Sequence, residues 1–241
     1  MIKKSKQIIV ALDYPCLESA LDFSELIDPL TCRVKIGKEL FTASGPACIE
    51  EFQKRGFDVF LDLKFHDIPN TVSRACEVAA DLGCWMINLH VTGGRQMLEK
   101  AAGVLARRKT RPLLIGVTVL TSMKQVDLGA MGITHALEKQ VLLLASLAKE
   151  TGLDGVVCSP LEIRAVRKEA GEDFVLVTPG IRPSQANADD QSRIATPEEA
   201  IKMGSDFLVI GRPITRAENP QGILQQISER LASSIEQAGL D

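Results

Sequence analysis

Short apolar runs alternate with stretches of helical spacing along the whole chain. The apolar runs are of strand length, are rich in Val, Ile and Leu, and are bounded by Gly, Pro or charged residues. Between them, apolar residues recur at the period of an amphipathic helix, as at Val72, Cys76 and Ala79. The pattern predicts eight strands, at 7–13, 33–37, 58–64, 85–90, 113–118, 155–159, 174–178 and 206–211.

Eight strand–helix units in 241 residues predict a single-domain (β/α)8 barrel, the TIM barrel of the α/β class, over residues 1–241. An open, doubly wound sheet is the alternative. That fold usually carries a glycine-rich first turn, whereas the first strand here runs into Asp13, Tyr14 and Pro15. Two connections are long, one after Thr118 and one over residues 179–192. Such loops are often lids or binding loops, and in a barrel both lie on the face that carries active sites.

The composition excludes several classes of protein. With 45% hydrophobic and 24% charged residues, the chain is expected to fold. A net charge of −3 and an aromatic content of 4% argue against a partner that is a nucleic acid or an anionic membrane. No apolar run is long enough to span a bilayer, and Asp13 interrupts the first one before a signal peptide develops. The six cysteines form no C-x-x-C pair, which predicts free, buried thiols in a cytoplasmic protein.

Charged residues gather where the barrel should have its mouth. Asp62 and Lys64 share one face of the third strand, and Asp67 follows in the loop. Lys35 and Asp13 stand at the ends of the two preceding strands. Charges crowded in this way are costly unless they pair. A structural ion-pair network at the rim is one interpretation, and a catalytic site built from Lys35, Asp62, Lys64 and Asp67 is the interpretation that we favour.

The expected protonation state of Lys64 indicates a class of reaction. A lysine that forms an imine needs an apolar pocket or a neighbouring cation. A lysine between two aspartates, here Asp62 and Asp67, is instead favoured as the ammonium. We therefore expect Lys64 to donate a proton, in a reaction that generates a carbanion and quenches it.

A second group of residues is typical of a phosphate site. The eighth strand ends in Gly211-Arg212, and the loop after the seventh strand carries Arg182 and Gln191. In barrels these two loops often bind phosphate. Gly211 allows a phosphate oxygen to approach the backbone, and Arg212 offers a forked donor. A simple turn with a solvated arginine is the alternative.

Other candidates are weaker. His90 ends the fourth strand and either contacts a ligand or is a structural histidine, and His66 and His135 have no predicted partner. The chain has no P-loop, no H-E-x-x-H and no EF-hand motif. Nothing in the sequence demands a metal or an organic cofactor.

The segment from Asp62 to Thr71, DLKFHDIPNT, closely resembles the D-x-K-x-x-D-I-x-x-T signature of the orotidine 5′-phosphate decarboxylase family. Agreement extends over nearly the whole chain and in the expected order, at 11–13, 35–37, 120–122, 178–182 and 210–214. The resemblance implies the cofactor-free decarboxylation of orotidine 5′-monophosphate to UMP, the last step of de novo pyrimidine synthesis.

The resemblance also implies a homodimer, in which Asp67, Ile68 and Thr71 reach the active site of the other subunit. Asp62 would lie against the substrate carboxylate, and Lys64 would protonate C6 after carbon dioxide leaves. The remaining implied contacts are Asp13 and Lys35 to the ribose, Thr121 and Ser122 near the pyrimidine, and Pro179, Arg182, Gln191, Gly211 and Arg212 around the phosphate.

Two rival functions remain open on the sequence. One is a Mg²⁺-dependent decarboxylase or aldolase that acts on a sugar phosphate and shares the barrel and the D-x-K-x-x-D pattern. Such enzymes usually recruit an extra acidic ligand near the second strand, for which Glu39 is a weak candidate. The other is a non-catalytic barrel that binds a nucleotide through its phosphate.

Overall fold

Eight parallel strands close into a barrel in the computed structural model, which describes residues 6–183 and 194–237. Each strand pairs with its neighbours in sequence, and β1 also pairs with β8. The strands are β1 Ile8–Leu12, β2 Arg33–Gly37, β3 Val59–Phe65, β4 Met86–His90, β5 Leu113–Val117, β6 Gly155–Val157, β7 Val175–Thr178 and β8 Phe207–Ile210. The predicted (β/α)8 barrel is confirmed. The open doubly wound sheet is wrong, because pairing of β1 with β8 leaves no free edge.

Helices connect successive strands. They are α1 Leu17–Ser24, α2 Lys38–Ser44, α3 Ala47–Lys54, α4 Pro69–Asp81, α5 Arg95–Ala106, α6 Gln125–Ala130, α7 Leu137–Glu150, α8 Ile163–Ala170, α9 Pro197–Lys202, α10 Arg212–Thr215 and α11 Pro220–Gln237. Short 3₁₀ helices cover Val91–Gly93 and Pro160–Glu162. Within the described ranges, no helix combines the length and the apolar character that crossing a bilayer requires.

The long connection expected after Thr118 contains a helix that the apolar spacing did not predict. This helix, α6, has only six residues, too few for a period to show. Its first turn is supported locally, because Asp127 Oδ2 accepts a hydrogen bond of 2.7 Å from the backbone N–H of Lys124.

The side chains of the sheet form two cores because successive residues of a strand point to opposite sides. The outer core lies between the sheet and the helices and includes Val10, Val34 and Leu61. The inner core fills the barrel with Ile9, Phe60, Met86, Ile115, Val175, Val177 and Phe207. This inner packing fills the barrel towards the amino ends of the strands.

The base of the barrel is closed by a stacked arginine. The guanidinium carbon of Arg33 lies 4.1 Å from the ring centroid of Trp85 and 5.4 Å from that of Phe207. Its Nε lies 3.2 Å from Oδ2 of Asp58. Stacking on two aromatic rings and pairing with a carboxylate compensate for placing this charge at the edge of an apolar core.

All six cysteines are free thiols. Five are buried as predicted, namely Cys32, Cys48, Cys76, Cys84 and Cys158. The prediction is wrong for Cys16, which is exposed. Cys16 precedes the first residue of α1, outside the apolar face of that helix, and its Sγ lies 3.1 Å from Oγ of Ser19.

Candidate active site

The third strand is bulged where its charged residues lie. Leu61 is paired with Ile87 and Phe65 with Leu89, so four steps along β3 match two steps along β4. Lys64 accommodates the extra length with a φ of +52°, in the left-handed region that residues other than glycine rarely adopt. The strict alternation assumed for this strand is therefore wrong at Lys64. Asp62 and Lys64 nevertheless line the same pocket, as predicted.

Four of the predicted charges form a chain of ion pairs in the order Lys64, Asp62, Lys35 and Asp13. Lys64 Nζ lies 2.6 Å from Oδ1 of Asp62, and Lys35 Nζ lies 3.2 Å from its Oδ2. Lys35 Nζ also lies 3.3 Å from Oδ1 of Asp13. Within one chain, the ammonium that lies between two carboxylates is thus that of Lys35. The expectation that Asp67 flanks Lys64 is not met within a single chain.

The network fixes the charge of its buried members. Burial alone would raise the pKa of Asp62, but the charges of Lys35 and Lys64, together with hydrogen bonds, outweigh it and hold this pKa below its usual range. Burial alone would lower the pKa of Lys35, but Asp62 and then Asp13 outweigh it and raise this pKa. Asp62 is therefore an anion and Lys35 a cation at neutral pH.

Asn88 belongs to the same network and was missed in the sequence. Its side chain is buried, its Nδ2 donates to Asp62 Oδ1 at 2.7 Å, and its Oδ1 accepts from the backbone N–H of Lys64 at 2.8 Å. A signal was present, since Met86, Asn88 and His90 alternate on β4 and Met86 belongs to the inner core. A polar residue at the middle of an inward-facing strand marks a site that interrupts the apolar core.

A cavity of about 250 Å³ opens above the inner core. Its apolar lining includes Ala11, Phe60, Val117 and Val209. The predicted site residues that line it are Asp13, Lys35, Asp62, Lys64, Thr121, Pro179, Arg182, Gly211 and Arg212. Ser122 is exposed and is not part of this lining. Gln191 lies outside the described residues.

Asp67, Ile68 and Thr71 lie outside the pocket of their own chain. All three are exposed where β3 leads into α4, and Ile68 is 67% exposed. Asp67 Oδ1 accepts a hydrogen bond of 2.6 Å from the backbone N–H of Ile68. No ion pair found among residues 6–183 and 194–237 includes Asp67. These side chains are therefore available at the surface beside the mouth.

The two arginines of the pocket come from loops after different strands. Arg182 is buried, and its backbone N–H donates to the carbonyl oxygen of Ala195 at 2.9 Å, where Ile181 and Ala195 form an isolated bridge. Arg212 begins the single-turn helix α10, directly after Gly211. Gly211 has φ −105° and ψ −109°, a combination that glycine tolerates well. Two guanidinium groups beside an accessible backbone can hold a dianionic group.

His66 has a ring partner, so the expectation that it has none is wrong. Its ring centroid lies 5.4 Å from that of His90, a contact that brings together the loop after β3 and the end of β4. Burial, followed by the charges of His66, Lys38 and Lys64, lowers the pKa of His90 to about 4. His90 is therefore a neutral imidazole at pH 7.

No cluster of three or more His, Cys, Asp or Glu suited to a metal ion occurs in the described part of the chain. The charged side chains of the pocket are instead paired lysines and aspartates, together with the two arginines. This arrangement can bind an anionic ligand, expose a carboxylate to it and supply a proton from Lys64.

Residues 6–227 match the family described as "Orotidine 5'-phosphate decarboxylase / HUMPS family". The chain is similar to the orotidine 5′-phosphate decarboxylase of Saccharophagus degradans, with 54% identity over 94% of this chain and 95% of the relative. It is 55% identical to that of Neisseria meningitidis serogroup C, over 92% of this chain and 90% of the relative. The crystal structure of the orotidine 5′-phosphate decarboxylase from Lactobacillus acidophilus superposes with a TM-score of 0.84 at 38% identity, covering 94% of this chain and 99% of that chain.

Proposed function

The chain belongs to the orotidine 5′-phosphate decarboxylase / HUMPS family and is a carboxy-lyase, and we propose that it converts orotidine 5′-monophosphate to UMP and carbon dioxide. Relatives at 54–55% identity over more than nine-tenths of the chain support this reaction. The structural observation that carries it is the distance of 2.6 Å between Lys64 Nζ and Asp62 Oδ1 in the wall of a pocket that also holds two arginines.

In the proposed mechanism, Asp62 lies against the substrate carboxylate and disfavours the bound ground state. The bond between C6 and the carboxylate carbon breaks, carbon dioxide leaves, and the electron pair stays on C6. The ammonium of Lys64 stabilises this carbanion and then transfers a proton from Nζ to C6. Solvent reprotonates the lysine. Lys35 keeps Asp62 ionised throughout, because its own charge is buried beside that carboxylate.

Substrate binding is proposed to use the rest of the pocket lining. Arg182, Gly211 and Arg212 hold the phosphate, a role supported by their common position in the pocket. Asp13 and Lys35 bind the ribose, and Thr121 lies near the pyrimidine. Because the phosphate is remote from C6, its binding energy can lower the barrier only by helping to orient and hold the reacting group.

We further propose a homodimer in which Asp67, Ile68 and Thr71 of each chain complete the pocket of the other. Their exposure beside the mouth supports this arrangement, since a side chain as apolar and as exposed as Ile68 is suited to burial against a partner. Asp67 would then approach Lys64 from the second chain. The five buried free thiols fit a reducing compartment, so we place the enzyme in the cytoplasm, at the last step of de novo pyrimidine synthesis.

The proposed reaction is tested by following the absorbance of orotidylate with purified protein in the presence of EDTA. We expect turnover that the chelator leaves unchanged. A Lys64→Ala preparation made in the same way controls for contaminating host enzyme. Absence of turnover would contradict the proposal. Turnover that EDTA abolishes and Mg²⁺ restores would instead support a metal-dependent enzyme of the same barrel.

A further inference from the structure

The backbone of Lys64 needs support from outside its own strand. Its φ of +52° is disfavoured for a residue with a Cβ, and the bulge removes this part of β3 from regular pairing with β4. The N–H of Lys64 is bound by a side chain instead, through the hydrogen bond of 2.8 Å to Oδ1 of Asn88. A disfavoured conformation persists only where its surroundings hold it in place.

The other end of the same amide holds the partner of Lys64. Asn88 Nδ2 donates to Asp62 Oδ1, the oxygen that also lies 2.6 Å from Lys64 Nζ. One buried amide therefore fixes both the backbone from which the lysine projects and the carboxylate that its ammonium contacts. Asn88 is 1% exposed, so water does not compete for these hydrogen bonds.

We propose that Asn88 is a positioning residue for proton transfer, which acts through Lys64 and Asp62. This inference rests on the proposed decarboxylation. The amide holds the left-handed backbone at Lys64 and orients Asp62 Oδ1, so that the ammonium is presented to the position of the carbanion. Misplacement of a reacting group by about 1 Å is enough to cost about 100-fold in rate.

The chemistry of the site explains why an amide is needed. An aspartate at position 88 would accept from the Lys64 N–H but would set a carboxylate against that of Asp62. A leucine would fill a similar volume and make neither hydrogen bond. Serine is too short to bridge two groups on a neighbouring strand. Only a side chain that carries a donor and an acceptor at this length serves both contacts.

The test compares Asn88→Leu and Asn88→Asp with the wild-type chain. Thr151→Val is the matched control, because Thr151 is buried and bonds only to carbonyls of α7 through its Oγ1. We measure kcat, KM, the inhibition constant of UMP and the thermal midpoint. We expect Asn88→Leu to lower kcat by about 100-fold. The UMP inhibition constant should stay within about threefold, since the groups proposed to hold the phosphate and ribose are untouched.

The aspartate variant adds a readout that a merely structural role would not produce. Two adjoining carboxylates share a proton at low pH, and the shared proton restores a donor to Asp62. The kcat of Asn88→Asp relative to wild type should therefore rise as the pH falls. The kcat of Asn88→Leu relative to wild type should not change with pH.

Several results would overturn the inference. One is a kcat for Asn88→Leu within about twofold of wild type. A second is a loss of UMP affinity in Asn88→Leu as large as its loss of kcat. A third is a kcat of Asn88→Asp, relative to wild type, that does not depend on pH. Failure of both variants to fold would assign Asn88 a purely structural role and would also overturn it. Wild-type turnover is measured first in the same assay. Its absence would refute the proposed function as well, whereas the other outcomes bear on Asn88 alone.

Discussion

Lys35 Nζ lies 3.2 Å from Oδ2 of Asp62, and about nine-tenths of each side chain is buried. Burial of either charge alone would cost several kcal/mol, so each makes the other tolerable. The pair therefore acts as a unit. Any change that moves the Lys35 ammonium also changes the electrostatic environment of the carboxylate that contacts Lys64.

Gly37→Ala tests this coupling without removing a charge. A Cβ at Gly37 would lie 3.1 Å from Lys35 Nζ and 3.5 Å from Asp13 Oδ1. The φ of −91° at this position suits alanine, so the effect is steric and falls on the ammonium. We expect kcat/KM for orotidylate to fall by about tenfold, while the thermal midpoint changes by no more than a few degrees.

Gly103→Ala serves as the control for that variant. Gly103 lies within α5, is exposed, and has no atom within 4 Å of the added Cβ. Alanine there should stabilise the fold by about 0.5–1 kcal/mol and leave turnover unchanged. An unchanged kcat/KM in Gly37→Ala would mean that the position of Lys35 does not matter to the reaction.

Lys64→Ala should lose at least about 10²–10⁴-fold in kcat, because it removes the proposed proton donor. Inhibition by UMP should persist, since the arginines of the pocket remain. Lys168→Ala, an exposed lysine on α8, is the control for loss of one positive charge. Near-normal turnover by Lys64→Ala would remove the proton-donor role, whatever its effect on binding.

Arg212→Ala should lose activity mainly on the phosphorylated substrate. We expect kcat/KM for orotidine 5′-monophosphate to fall by about 100-fold, and that for the nucleoside orotidine to change little, because only the former carries the group that Arg212 is proposed to hold. The control is Arg216→Ala, an exposed arginine at the end of the same short helix. Equal losses on both substrates would contradict the phosphate role.

Mixing two inactive variants tests the proposed dimer. Lys64→Ala and Asp67→Asn, dissociated and reassociated together, should form mixed dimers in which one site holds both native residues. At equal amounts, random pairing restores about one quarter of the wild-type sites. Lys64→Ala mixed with Asp62→Asn should remain inactive, because Asp62 and Lys64 contact each other within one chain. Equal recovery in both mixtures, or none in either, would argue against a shared site.

The lowered pKa of His90 predicts how stability depends on pH. Unfolded histidine binds a proton near pH 6.5, whereas folded His90 does so only near pH 4. Stability is thus fully present above pH 6.5 and is lost as the pH falls towards 4. Between pH 7.5 and 5 we expect a loss of about 1 kcal/mol, after allowing for solvent at the half-buried ring. Urea unfolding of His90→Gln should show a smaller loss, and an identical one would contradict the assignment.

The strands were predictable because each is a short apolar run, and their predicted limits agree with the structure to within about two residues. Asp62 and Lys64 were also found from alternation along one strand. The bulge that places Lys64 in the left-handed region could not be predicted from the sequence. The register shift between β3 and β4 depends on pairing across strands and not on the local pattern. Alternation along β4 could have marked Asn88 as inward-facing, but its contacts could not be predicted, because both of its partners belong to another strand.

The stacked arginine at the base of the barrel gives the chain a built-in optical reporter. Trp85 is the only tryptophan, and it packs against Arg33 and Phe207 at the amino ends of the strands, whereas the charged residues of the pocket lie towards the carboxyl ends. The fluorescence emission of Trp85 should hardly change when a nucleotide binds in the pocket. It should change sharply when the strands of the barrel separate on unfolding. Quenching studies of this indole would therefore follow opening of the closed sheet alone.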